Sequence, residues 1–301
     1  MLVCACLLLL ASDPAQANSL LKQGLLALQR GDLVEARADL EHASRADPAN
    51  AYVWSSLAET YARLHNGDNA MSAAARAEKL GAGNKVVAHA LAIFYFQYAD
   101  SLLRQENFTQ AADVLTTALA RHPDEPQLTL ALGVARYGQR RFDDAIALFL
   151  KTVKLAPEAE QPYVFLGKML EQAGPHLAEI AADFESYAGA NPASAEAQLL
   201  LAKALLAADP HSDRALDLIR KSVSLDGNNW EAHFQLGVLL ESKHDYADAA
   251  IELAASAQLE PKQPMPHYHL ARVYDRLGEP ERAKTEREIH QRLTRAADER
   301  R

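Results

Sequence analysis

Cysteine is almost missing from this chain: of 301 residues only Cys4 and Cys6 are cysteines. Past those two positions a disulfide framework and thiol chemistry are excluded. Glycine and proline are sparse, at 13 each, and aromatic residues make up 7%. The β-branched enrichment expected of a sheet protein is missing too. Basic residues number 31 against 40 acidic ones, for a net charge of −9. Nucleic acid needs a basic stripe that releases counterions, and an anionic lipid surface repels such a chain; neither is an expected partner. No His-Glu-x-x-His zinc helix, phosphate loop or Gly-x-Ser-x-Gly elbow occurs, so no enzymatic activity and no cofactor are expected. Gly81 and Gly83 lack the third glycine of a dinucleotide loop and fit a helix C-cap.

What is present is a period. Gly or Ala returns at Gly24, Ala58, Ala99, Gly133, Gly167, Ala202, Gly237 and Ala271, in steps of 34, 41, 34, 34, 35, 35 and 34 residues. A second small residue follows twelve positions later at Ala36, Ala70, Ala111, Ala145, Ala249 and Ala283. Pro48, Pro123, Pro157, Pro192 and Pro261 close the units, since proline ends a helix and disfavours it in its predecessor. Turn residues such as Gly31-Asp32 and Asn66-Gly67-Asp68 divide each unit in two. The period predicts an all-α solenoid of stacked helical hairpins, with a surface for binding as its asset.

On these residues the chain resembles the tetratricopeptide-repeat (TPR) family. Trp54, Leu57, Ala58, Tyr61, Ala70 and Ala77 follow the family pattern in residues 51–84. Tyr95, Ala99, Leu102, Ala111, Leu115, Ala118 and Pro123 follow it in 92–125. The resemblance implies a right-handed superhelix of about eight hairpins: 17–50, 51–84, 92–125, 126–159, 160–194, 195–229, 230–263 and 264–297. Two units depart from the pattern, one at Gly174-Pro175 and one at Asp209-Pro210-His211. The step of 41 adds seven residues and predicts a long helix over 86–104, whose aromatics either pack inside or form a ridge for a partner. The charged stretch 283–301 is expected to cap the last apolar face.

The family's concave groove is lined by helix A positions such as 5 and 9 of each unit. From the third unit on, position 5 holds Phe96, Leu130, Val164, Leu199, Phe234 and Tyr268. Position 9 holds the charges Asp100, Lys168, Lys203 and Arg272. Apolar anchors give affinity and charges set direction, so the expected ligand is a peptide or partner helix. The Asn residues with which co-chaperone members grip a C-terminal carboxylate are absent from these positions. His233 and His267 share position 4, an inward position, and are expected to be structural and not metal ligands. Glu286 and His290 lie four apart and fit a solvated pair on one helix face.

Residues 3–10 are apolar, too short to span a bilayer, and are followed by Ala15-Gln16-Ala17. That pattern fits a signal peptide over 1–17, cut between Ala17 and Asn18, although no Lys or Arg precedes the apolar run. The expectation is an exported, periplasmic or secreted adaptor or assembly scaffold, and a cytoplasmic one if the segment stays on. The alternative is a helical carrier or sensor holding a small molecule between repeats.

Overall fold

The computed structural model describes residues 14–299, and the apolar run at 3–10 lies outside them. Among the described residues there are sixteen α-helices and no strand. The chain divides into two compact units, Met1–Leu155 and Ala156–Arg301.

The first unit holds α1 (Pro14–Arg30), α2 (Leu33–Ala46), α3 (Ala51–Arg63), α4 (Gly67–Leu80), α5 (Lys85–Arg104), α6 (Phe108–Leu119), α7 (Pro126–Gly138) and α8 (Phe142–Leu155). Odd and even neighbours pair as hairpins, α1 with α2 through α7 with α8. Asn50 and Asn84 sit at the N-caps of α3 and α5, where their side chains accept backbone N–H groups that have no partner within the helix. The small residues allow close approach. A Cβ on Gly133 would stand 2.6 Å from Cε1 of Phe149 across the α7–α8 hairpin. Ala36, Ala58, Ala70, Ala99, Ala111 and Ala145 are all fully buried.

Helix α5 has the length and composition of a membrane-crossing segment. Leu91, Phe94, Tyr95, Tyr98 and Leu102 are nonetheless buried in the cluster that also holds Leu57, Leu115 and Leu128. Phe94 and Tyr98 stack with ring centroids 6.0 Å apart. Tyr95 donates to Glu78 of α4 at 2.9 Å, and Arg121 reaches the same carboxylate. The aromatics therefore pack inside.

The second unit holds α9 (Glu160–Lys168), α10 (Leu177–Ala190), α11 (Ala195–Ala208), α12 (Asp213–Leu225), α13 (Trp230–Ser242), α14 (Tyr246–Leu259), α15 (Pro264–Leu277) and α16 (Pro280–Asp298). Its packing repeats the logic of the first: a Cβ on Gly237 would lie 2.6 Å from Cγ of Leu253. Helix α9 stops after nine residues, and two short 3-10 turns, Leu170–Gln172 and Gly174–His176, carry the chain to α10. Leu170, eleven residues into the unit 160–194 and so at a helix A position of the family pattern, belongs to the first of these turns. Proline at 175 fixes its own φ in the second, and Gly174 before it takes a left-handed φ of 47°, which glycine tolerates. Tyr163 is 2% exposed and stacks on Tyr187 at 4.0 Å. Its hydroxyl donates to the Pro157 carbonyl at 2.9 Å, and burial pushes it up to about 12.

One backbone feature recurs at the fifteenth residue of six hairpins. Gly31, His65, Glu106, Arg140, His244 and Gly278 all take positive φ, between 57° and 82°. Each closes helix A with a left-handed residue, the usual way to satisfy terminal carbonyls. In the second hairpin the left-handed residue is His65, and Gly67 opens α4. The sequence expectation of a Gly67 turn is corrected accordingly.

Candidate functional site

Helices α13 and α15 of the second unit bring three of the sequence-predicted groove residues, Phe234, Tyr268 and Arg272, onto neighbouring helices. Phe234 projects from α13, and its ring meets His269 of α15 edge-on at 5.6 Å. Tyr268 meets the same imidazole edge-on at 5.2 Å, and Trp230 lies 6.4 Å from Phe234. Arg272, one turn beyond Tyr268, holds its guanidinium 5.6 Å from the phenol ring. Tyr268 is 42% exposed and the Arg272 side chain 54%. The strip is aromatic with a cation at one end.

Its geometry is held from beneath. Glu241 of α13 is buried; one carboxylate oxygen is hydrogen-bonded to His269 Nδ1 at 2.6 Å, and the other is ion-paired with Arg272 Nε at 3.1 Å. One carboxylate thus fixes the imidazole between the two rings and the guanidinium beside them. A buried charge-assisted pair of this kind costs little only when each oxygen has its donor, as here.

Lys168 and Lys203 line a single open hollow of about 820 Å³ together with Glu171, Leu206, Glu231 and Gln235. The early stop of α9 puts Lys168 in its last turn. Lys203 is not available as the pattern implies: Nζ lies 2.6 Å from Glu231 Oε1 and the side chain is 15% exposed. Glu196 nearby is held above its ordinary value by burial, with the Glu231 charge adding and Lys203 opposing. Leu199 is 1% exposed and belongs to the buried cluster with Ala232 and Leu236. It is core, not a groove anchor, because α11 is apolar all round (Leu199, Leu200 and Leu201 are all buried). Val164 is half-buried on α9.

In the first unit, Phe96 is half-buried against the core and Leu130 is half-buried on α7. Asp100 pairs with Arg104 one turn on, at 2.8 Å. The face that opens in this unit includes positions 5 and 9 of its first two hairpins, Leu21, Leu25, Ser55 and Glu59. Leu21 and Leu25 of α1, Tyr52 and Glu59 of α3, and Ile93 and Gln97 of α5 surround a hollow of about 340 Å³. Ile93, the second residue of the unit that begins at 92, stands at a groove-lining position of the family, whereas Gln97, the sixth, does not.

His233 and His267 are half-buried and buried, as their shared position implies. Glu286 is not paired in solvent with His290: it lies 2.6 Å from His267 Nδ1, and His290 instead approaches Tyr268, ring centroids 5.6 Å apart. Among the described residues no group of three His, Cys, Asp or Glu side chains is placed to hold a metal ion.

Stacked helical hairpins whose open inner faces carry aromatic, aliphatic and charged side chains define a repeat protein of the solenoid class. The tetratricopeptide-repeat family model matches residues 9–85, 97–160 and 211–266, so the chain belongs to that family. Among curated proteins none matches. MamA (residues 41 to the end) from Desulfovibrio magneticus RS-1 is 23% identical over 57% of this chain and 96% of its own, with a TM-score of 0.48. Yeast Tom70 is 18% identical over 94% of this chain and 61% of its own, at 0.51. The human IFIT1 dimer, solved with m7Gppp-AAAA, is 17% identical over 95% and 74%, also at 0.51. At these identities the likeness concerns the fold.

Proposed function

We propose that the chain is a non-enzymatic adaptor or assembly scaffold that binds a peptide or partner helix along the inner faces of its A helices. Fold and family support a protein-interaction scaffold in general terms. The strip of Phe234, Tyr268 and Arg272 carries the finer reading. It exposes an aromatic ring, Tyr268, and a cation, Arg272, beside the half-buried Phe234, the residue types that dominate binding hot spots. Glu241 already holds Arg272 by an ion pair and the intervening His269 by a hydrogen bond, so binding needs little rearrangement. Capture of partners from the native host by wild-type and F234A, Y268A and R272A chains tests it. The expected outcome is loss of the same partner in all three variants; retention in all three removes the strip as the site.

A small-molecule carrier is the second reading, favoured by the hollow beside Lys168, which is of ligand size. The net charge of −9 speaks against RNA as the partner. We further place the protein in the cell envelope, on the apolar residues 3–10 and Ala15-Gln16-Ala17. Cleavage after Ala17 falls inside α1, where Ala17 is fully buried, so it would remove the helix's first turn. The mature N-terminus, read by mass spectrometry, decides: Asn18 supports export and Met1 opposes it.

A further inference from the structure

A second hollow of the first unit, of about 290 Å³, lies where its first three hairpins meet. Glu59 and Arg63 of α3 and Phe94, Gln97 and Tyr98 of α5 line it, with Leu33 from the start of the B helix α2. It is a recess between hairpins, of a size for a one-ring metabolite.

Its aromatic wall breaks the repeat. Tyr98 stands at a position that is leucine in six other hairpins: Leu57, Leu132, Leu166, Leu201, Leu236 and Leu270. Phe94, four residues earlier, is the only aromatic residue at its own repeat position. Both are buried, and the rings lie nearly parallel, 16° apart in plane with centroids 6.0 Å apart. The Tyr98 hydroxyl accepts from Gln110 Nε2 at 3.3 Å, so the wall it offers is its ring. A flat apolar wall suits a flat apolar group.

The polar lining carries both signs of charge. Glu59 and Arg63 are one helical turn apart, their side chains are 40% and 44% exposed, and their contact is 3.6 Å. Arg63 Nη1 also donates to the Leu28 carbonyl at 3.1 Å, which holds the guanidinium in place. Among the described residues the Gln97 side chain makes no hydrogen bond. A loose carboxylate–guanidinium pair beside an aromatic wall matches an ammonium and a carboxylate carried on one carbon next to a ring.

We infer that this recess binds a free aromatic α-amino acid, with its ring on Phe94 and Tyr98, its carboxylate on Arg63 and its ammonium on Glu59. The site goes beyond the partner-binding reading and uses none of Phe234, Tyr268 and Arg272.

Calorimetric titration of the full chain with L-phenylalanine and three relatives tests it. 3-Phenylpropionate lacks the ammonium, phenethylamine lacks the carboxylate, and L-alanine lacks the ring. L-Phenylalanine should bind at one site, at least about tenfold more tightly than each of them. Glu59→Gln should erase the preference over 3-phenylpropionate and keep that over phenethylamine; Arg63→Gln should do the opposite. Crossing variants with ligands in this way separates lost recognition from general weakening. Both side chains are partly exposed, and circular dichroism checks that the variants fold. Tyr268→Ala should change nothing. Absence of binding up to about 5 mM L-phenylalanine overturns the site, as does equal binding of 3-phenylpropionate or phenethylamine by the wild-type chain. Equal binding of N-acetyl-phenylalaninamide overturns it in favour of a peptide side chain. These arms use the wild-type chain and decide even where a variant misfolds. Failure here while the F234A, Y268A and R272A effects stand sinks this site alone.

Discussion

His267 and Glu286 form a buried imidazole–carboxylate pair, Nδ1 to Oε2 at 2.6 Å, joining α15 to α16. One repeat earlier His233 and Glu252 make the same pair, also at 2.6 Å, between α13 and α14. The partners are 19 residues apart in both cases. They are a side-chain staple built into two successive hairpins. Replacing His267 by Ala leaves the carboxylate of Glu286, 18% exposed, without its donor. A loss of about 1–3 kcal/mol follows, the usual cost of an orphaned buried polar group. Hydrogen exchange localises it: α16 should open faster, while the first unit is unchanged.

Glu106 and Arg140 occupy the left-handed position that Gly31 and Gly278 hold in other hairpins, at φ 57° and 60°. A side chain there costs about 1–2 kcal/mol against the right-handed alternative. Glycine relieves that strain but adds freedom to the unfolded chain. Glu106→Gly and Arg140→Gly should each stabilise by up to about 1 kcal/mol, read from urea unfolding. Gly31→Ala should do the reverse.

Gly133→Val tests the close approach of α7 and α8. The added atoms meet the Phe149 ring, which is itself fully buried and has nowhere to go. Overpacking of this sort costs about 1–3 kcal/mol. Pairing it with Phe149→Leu should recover part of the loss, which a double-mutant cycle measures.

Glu196 gives a pH signature. Burial raises it above 4.5 in the folded chain, with Glu231 adding to the effect. The unfolded state therefore gives up this proton first as pH rises. Stability falls from about pH 4.5 upward, and the whole cost is present once the folded group has ionised. Glu196→Gln should raise Tm at about pH 7 and leave it unchanged near pH 3.5. Stabilisation that is equal at both pH values contradicts the burial argument.

The fold was legible because its cause is local and periodic. Small residues at Gly133 or Gly237 must face one side chain of the partner helix, so their spacing carries the hairpin geometry directly. Proline at 48, 123 and 261 marks helix ends for the same reason. Site residues were less legible, since exposure depends on neighbours far along the chain. Leu199 looks like an anchor by position and is buried because α11 is enclosed. Lys203 looks like a ligand for a partner's acid and is held by Glu231, 28 residues on. The pairing of Glu286 with His267 runs between helices and leaves no mark at the spacing of one helix face. Tyr268 and Arg272 do stand exposed where position counting puts them, because α15 keeps the regular length on which that counting depends, while Phe234 on α13 is half-buried against the core.

The scaffold reading is tested most directly by a photo-crosslinking amino acid placed at Tyr268 in the native host, with a second at Ile251 as control. Ile251 is 66% exposed on α14, a B helix outside the strip. A discrete protein adduct at Tyr268 and none at Ile251 is the result expected of a partner seated on the A-helix face. Adducts confined to Ile251, with none at Tyr268, would contradict it.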